Sequence, residues 1–259
     1  MRILLTNDDG YYAPGLAVLE AIAARFSDDV WVVAPSDEQS GAGHSLTLTR
    51  PLRVRRMGDR RFAVAGTPTD AVMMALARLM KDSPPGLILS GVNRGANLGE
   101  DVTYSGTVSA AMEGALAGVR SIALSQVRPN QMEGRGRIGD EVPFDAAAAW
   151  GERVLRPLLD VPMAPRTLVN VNFPALAADE VKGVRIVDQG FRDYGRLQIV
   201  TNRDPRGFDY HWFALGPTET TPAPGTDLDA VANGYVAVTP LHLDLTHAAS
   251  LEGLRRTYG

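Results

Sequence analysis

Hydrophobic positions in the first two-thirds of the chain come in two kinds of run. Short, near-continuous apolar segments stand at 2–6 (RILLT), 30–35 (VWVVAP), 62–66 (FAVAG), 86–91 (GLILSG), 121–127 (SIALSQV) and 167–174 (TLVNVNFP). Runs of this length without polar alternation fit parallel strands covered on both faces. Between them, apolar residues recur at helical spacing over 14–26, 67–81, 107–118 and 144–159. Strand following helix following strand predicts an α/β fold built on a doubly wound, mostly parallel sheet. In such sheets ligands sit beyond the carboxyl ends of strands.

From about residue 180 the pattern changes. The strand-like pieces VRIVDQ, RLQIVTN and YHWFALG are separated by Gly, Pro and Asp, which predicts hairpins projecting from the core. GYVAVTPLHLDLT (234–246) reads as a last strand and turn, and the Gly-rich polar stretch 128–143 as an exposed loop. No internal repeat or low-complexity segment breaks the chain, and 259 residues suffice for one large domain with a sizeable core.

Composition narrows the function classes. Cysteine is absent, which excludes disulfides, thiolate metal sites and Cys nucleophiles. No apolar run approaches the roughly 20 residues that span a bilayer. Met1-Arg2 leads straight into a strand rather than a signal-peptide core, so the expectation is a soluble cytoplasmic protein without membrane partners. The net charge is −4, and of 26 basic residues only Lys81 and Lys182 are lysines. That balance argues against a nucleic acid polymer as partner, while a small phosphorylated ligand needs only a local positive site.

The chemistry gathers in the loops after strands. The first strand ends in Asn7, Asp8, Asp9 and Gly10. Adjacent carboxylates repel, so either a cation lies between them or one Asp turns away to cap the next turn. With Ser40 and Asn93 they make an all-oxygen set suited to Mg²⁺, Mn²⁺ or Ca²⁺ rather than zinc. Ser105-Gly106-Thr107 opens a helix of small residues, where free N–H groups and the positive dipole end favour an anion. Ordinary capping by Ser or Thr explains the same tripeptide. The Gly-rich connection before it, long for a compact domain, favours a ligand.

Other polar residues carry structural readings. Thr67-Pro68 with Asp70 three residues past Thr67 makes a near-capping box. His44 is lone and fits a hydrogen-bonded structural role, and Glu113 fits packing or a bond to a loop. His211, His242 and His247 show no ligand spacing.

The stretches ILLTNDDGYYAPG, VVAPSDEQSGAGHSLTL, GTPTDAV, ILSGVNRGANLGEDVTYSGTVSAAMEGAL, NVNFP and GYVAVTPLHLDLT run in order over nearly the whole chain. In these motifs the sequence resembles the SurE survival-protein family of acid phosphatase-like nucleotidases. The resemblance implies a Rossmann-like, three-layer α/β/α core over about 1–180 and a hairpin-rich extension over about 181–259, within one domain of 1–259. It implies a phosphoric monoester hydrolase acting on nucleoside 5′- and 3′-monophosphates and short polyphosphate, and a link to stationary-phase survival. It further implies one divalent ion per subunit (Mn²⁺ or Mg²⁺, with Ca²⁺ or Co²⁺ as other candidates) and a homodimer or homotetramer. Carried over by motif, the metal ligands fall on Asp8, Asp9, Ser40 and Asn93, with the aspartates as the catalytic pair. The phosphate contacts fall on Gly41, Asn97, Ser105, Gly106 and Thr107. Thr69 stands where many members carry a small residue, and the match is looser over 185–230.

Three rival readings fit the residues less well. A haloacid dehalogenase-type phosphatase needs an Asp nucleophile where Asn7 stands, and an assisting lysine. A phospho-accepting receiver needs an Asp at a later strand end with a lysine beyond it, where this chain has Ser90, Gly91 and Asn93. A plain nucleotide-binding module would not turn over a phosphate ester.

Overall fold

The structure, a computed structural model, describes residues 1–129, 142–192, 197–215 and 221–258. The chain runs β1 (Ile3–Thr6), α1 (Pro14–Ala23), β2 (Val30–Pro35), β3 (Val54–Gly58), β4 (Arg61–Val64) and α2 (Pro68–Met74). It continues through β5 (Leu87–Arg94), α3 (Gly106–Leu116), β6 (Arg120–Gln126), α4 (Asp145–Asp160) and β7 (Thr167–Phe173). Last come β8 (Val184–Ile186), β9 (Leu197–Arg203), β10 (Asp209–Leu215), α5 (Asp227–Ala232), β11 (Val236–His242) and α6 (Ala248–Tyr258).

The central sheet has the order β3-β4-β2-β1-β5-β6-β7-β11-β8. The six strands from β4 to β7 pair parallel, and antiparallel pairs with β3 and β11 flank them. Strand alternation sends Ile3, Leu5, Leu87 and Leu89 to the face covered by α1 and α4. Leu4, Val33 and Ile88 go to the opposite face, against α2 and α3. Two buried faces explain why these strands read as unbroken apolar runs.

Local sequence starts α1 and α2. Pro14 occupies the first turn of α1, and a Cβ on the next residue, Gly15, would lie 1.9 Å from the Val92 carbonyl oxygen. The helix therefore rests on β5 at a distance only glycine allows. At α2 the capping box forms: Asp70 accepts from the Thr67 N–H (2.8 Å), and the Thr67 hydroxyl accepts from the Asp70 N–H (3.1 Å). One π-helical turn, Ala75–Leu79, continues α2.

Several expectations are corrected. VRIVDQ is not part of a projecting hairpin: β8 pairs parallel with β11 at the edge of the main sheet. The two later pieces do form a separate antiparallel hairpin, β9–β10. Strand β3 was not expected, because its VRRMG sequence lacks the apolar run of an interior strand and suits an edge. Helices α5 and α6 were also missed. The first has six residues and the second buries none of its side chains, so neither carries a strong apolar stripe. Of the loop expected over 128–143, residues 130–141 lie outside the described residues. Among the described residues, no helix is long and apolar enough to cross a membrane.

The connections from β1 and from β5 run to opposite sides of the sheet, which opens a crevice where these two strands end. Residues 7–10 and 93–95 stand at that crevice.

Candidate active site

Four segments meet around the acidic pair. The Gln39 N–H donates to the Asp8 carbonyl oxygen (2.8 Å), which ties the loop that carries Ser40 to the end of β1. The Arg94 N–H donates to Asp9 Oδ2 (2.9 Å), which sets Asn93 beside the second carboxylate. The Thr107 hydroxyl donates to Asp8 Oδ1, and its backbone adds a second bond to the same carboxylate. Gly106 permits that approach, because a Cβ there would come within 2.8 Å of the Asp8 Cβ and 3.0 Å of Pro68 Cγ. Asp8 thus rests on the N-terminus of α3, where the partial positive charge of the helix favours an anion.

The electrostatics of the pair are unfavourable for two free charges. Burial, then the neighbouring charge of Asp9, pushes the Asp8 carboxyl up to about 6. Burial also raises Asp9, while the Arg94 backbone and guanidinium pull it the other way. Asn7 lies beside them with its amide nitrogen on the Gly10 carbonyl oxygen (2.9 Å), and its amide oxygen is buried without a hydrogen-bond partner. Among the described residues no three His, Asp or Glu side chains converge as a metal cluster. A cation here would take its further ligands from neutral oxygens. The Ser40 hydroxyl donates to Glu38 Oε1 (2.9 Å), and the Asn93 amide nitrogen donates to the Gly95 carbonyl oxygen (2.8 Å).

The residues expected at the phosphate are placed unevenly. Ser105 caps α3, its hydroxyl accepting from the Val108 N–H (3.0 Å), so the capping and anion readings meet in one residue. Gly41 is exposed with a left-handed φ of 77°. Asn97 is buried in an amide network. Its side-chain nitrogen donates to the Ser125 hydroxyl (2.8 Å), and its backbone is held by Asn170 and Asn172. His44 meets Glu113 at 2.6 Å, tying the loop after β2 to α3.

Sequence reasoning passed over Arg94, Glu38 and the aromatic residues behind them. Arg94 stands 3.3 Å from Glu38 and 3.9 Å from Asp9. A groove of about 870 Å³ is lined by Asp9, Glu38 and Arg94 together with Tyr11, Tyr12 and Phe144. The signal was present as Tyr11-Tyr12 directly after NDDG. Only the approach of Phe144, more than 130 positions along the chain, makes them a wall.

Residues 3–196 match the sequence model of the family described as "Survival protein SurE". The chain is 66% identical over 258 residues to a protein of Rhizorhabdus wittichii named 5′-nucleotidase SurE, with 100% of each covered. It is 59% identical over 251 residues to a protein of the same name from Erythrobacter litoralis, with 97% of each covered. The crystal structure of the SurE protein from Aquifex aeolicus superposes with a TM-score of 0.84 at 39% identity, over 100% of both chains. With a family match over most of its length and full-length relatives above half identity, this chain belongs to the SurE survival-protein family.

Proposed function

We propose that this chain is a divalent-metal-dependent nucleotidase that releases phosphate from nucleoside 5′-monophosphates. The family and the names of its full-length relatives support a phosphoric monoester hydrolase of nucleotidase type. The observation that carries the metal is the Asp8–Asp9 pair at the crevice between β1 and β5, Asp8 buried and Asp9 half-buried, with the segments that carry Ser40 and Asn93 tied to it by backbone bonds. The donor set fits a hard cation: two carboxylates, the Ser40 hydroxyl, the Asn93 amide oxygen and, next to them, the unpartnered buried amide oxygen of Asn7.

A divalent ion held by Asp8, Asp9, Ser40 and Asn93 would neutralise phosphate charge and lower the pKa of an attacking water. The chain's own part is orientation. Phosphate oxygens at the start of α3 would meet the backbone of Gly106 and Thr107, would take the Thr107 hydroxyl from Asp8, and would accept from the Ser105 hydroxyl while it goes on accepting from the Val108 N–H. Gly41 and Asn97 would complete the cradle from the neighbouring loops. Asn7 stands where a covalent enzyme would need its Asp nucleophile, and Asp8 and Asp9 are assigned to the metal, so water would attack phosphorus directly. The wider reading takes in 3′-monophosphates and short polyphosphate, which present the same terminal phosphoryl group, and places a homodimer or homotetramer in the cytoplasm.

The test is a phosphate-release screen of 5′-, 3′- and 2′-nucleotides and general esters, after chelation and readdition of Mn²⁺, Mg²⁺, Ca²⁺ or Co²⁺ singly. Activity should vanish with chelator and return with Mn²⁺ or Mg²⁺. Asp9→Asn should lower kcat roughly 10²-fold or more. Full turnover in excess chelator overturns the metal, and no release from any nucleotide overturns the reading.

A further inference from the structure

The loop between β2 and β3 closes a ring onto Asp8. The Gln39 N–H donates to the Asp8 carbonyl oxygen (2.8 Å), and the Gly43 N–H donates to the Tyr104 carbonyl oxygen (3.2 Å). Thr107, three residues past Tyr104, donates back to the Asp8 carboxylate. Ser40, Gly41 and Ala42 form the arc of that ring between its two anchors. The arc is pliable: Ser40 and Gly41 are exposed, and Gly41 and Gly43 take left-handed φ values of 77° and 54°. One turn stiffens it, from the Ala42 N–H to the Gln39 carbonyl oxygen (3.1 Å). Just past the second anchor, His44 Nε2 meets Glu113 Oε1 at 2.6 Å across 69 positions of sequence. The Thr67 hydroxyl then donates to the Ser45 carbonyl oxygen (2.8 Å), and the Thr47 N–H donates to Asp70 Oδ1 (3.0 Å).

Resting on the metal-dependent reading above, we infer that His44 and Glu113 are positioning residues, whose pairing clamps the arc so that Ser40 and Gly41 stand in place beside the acidic pair. Glu113 lies six residues past Thr107, about 9 Å along the axis of α3. With Nε2 committed to Glu113, the imidazole grips the side of that helix rather than its N-terminus. The clamp therefore acts through the loop. Ordering a pliable loop around an ion costs binding free energy, and a loop held beforehand avoids that cost. Groups that orient a metal ligand are worth roughly 10- to 100-fold in metal affinity. Thr67 and Asp70 also hold the loop, but they cap α2, and Ser105 caps α3. The His44–Glu113 tie can be removed with both caps left intact. Its side chains are 36% and 18% exposed, so it adds little to global stability and its effect stays local.

Two measurements on the full chain test the clamp. The first follows amide hydrogen exchange by NMR, without metal or substrate, in the wild type, His44→Ala and His44→Gln. Exchange at Gln39, Ala42 and Gly43 should speed up at least about fivefold in His44→Ala, while α3 keeps its protection. It should stay near the wild-type rate in His44→Gln, whose amide can still donate to Glu113. The second titrates Mn²⁺ by calorimetry into the wild type, His44→Ala, Glu113→Ala and the double variant. Each single change should weaken Mn²⁺ roughly tenfold and the double no further, because either one opens the same clamp. The urea midpoint should barely move. Unchanged exchange in His44→Ala, wild-type Mn²⁺ affinity in either single variant, or losses that add in the double variant overturn the clamp. Should the wild type bind no Mn²⁺ and release no phosphate, the metal reading fails, and the exchange comparison still decides whether the pair holds the loop.

Discussion

The hydroxyl of Thr107 and the carboxylate of Asp8 meet although the residues are 99 positions apart, and the missing side chain of Gly106 is what lets them. Environment decides what each buried aspartate does. Asp8 is pushed up to about 6 by burial and by Asp9. At Asp70 burial acts in the same direction, but hydrogen bonds from Thr47 and Thr67 outweigh it and hold the carboxyl below its usual range. At Asp8 the bonds from Thr107 are outweighed by burial and Asp9, and at Asp70 the bonds prevail. Asp70 thus serves the start of α2, and the raised Asp8 is the one we propose for chemistry. Gly106→Ala tests the first half of that contrast. Its Cβ would push Asp8 or Pro68 aside by several tenths of an ångström, and a small misplacement in a reacting constellation costs up to about 10²-fold in rate. We expect phosphate release to drop by at least about tenfold with an unchanged circular dichroism spectrum. Wild-type turnover in that variant would separate the start of α3 from the reaction.

At the scale of elements, the loop after β5 is held from the far end of the chain. Asp227, at the first turn of α5, accepts from the N–H groups of Gly99, Gly190 and Leu228, each at 2.8 Å. Arg192 completes the clasp by donating to the Leu98 carbonyl oxygen (2.8 Å) and pairing with Asp101 (2.7 Å). A buried carboxylate with three backbone donors cannot be removed without leaving those donors unsatisfied, at about 1–3 kcal/mol each before relaxation. Asp227→Ala should therefore destabilise the fold by roughly 3 kcal/mol or more, read as a lower urea midpoint at an unchanged slope. Asp227→Asn, which keeps one acceptor, should lose less. A midpoint unmoved by Asp227→Ala would show that the clasp holds nothing.

For the whole molecule, the unsolved surface is the β9–β10 hairpin. It pairs with no strand of the main sheet, and two-stranded hairpins are marginal alone. Its exposed apolar residues fall on both faces: Trp212 opposite Val200, and Phe213 opposite Ile199. Phe213 is 80% exposed. Tyr210 is exposed on the same strand, while the Leu215 side chain, expected to join them, lies outside the described side chains. Helix α6 adds a further stretch with no buried residue. We expect a second copy of the chain to cover these surfaces. Light scattering should give a dimer or tetramer, and Trp212→Glu with Phe213→Glu should shift the mass towards the monomer. A wild-type monomer at working concentrations would contradict this.

What the sequence determined by itself was whatever depends on neighbours a few residues away. The six apolar runs marked the parallel strands, Thr67 to Asp70 marked a cap, and Asn7 to Gly10 marked a strand end loaded with charge. Periodicity and capping are local rules, so they survive without a fold. Tertiary structure alone decided the rest. The edge strand β3 and the short β8 owe their state to a partner strand rather than to their own pattern. That Thr107 bonds Asp8, that Asn97 is enclosed among Asn170, Asn172 and Ser125, and that Phe144 joins Tyr12 along one groove all depend on helices packing at fixed distances. Those distances come from close packing among residues scattered along the chain, and no spacing within one segment encodes them.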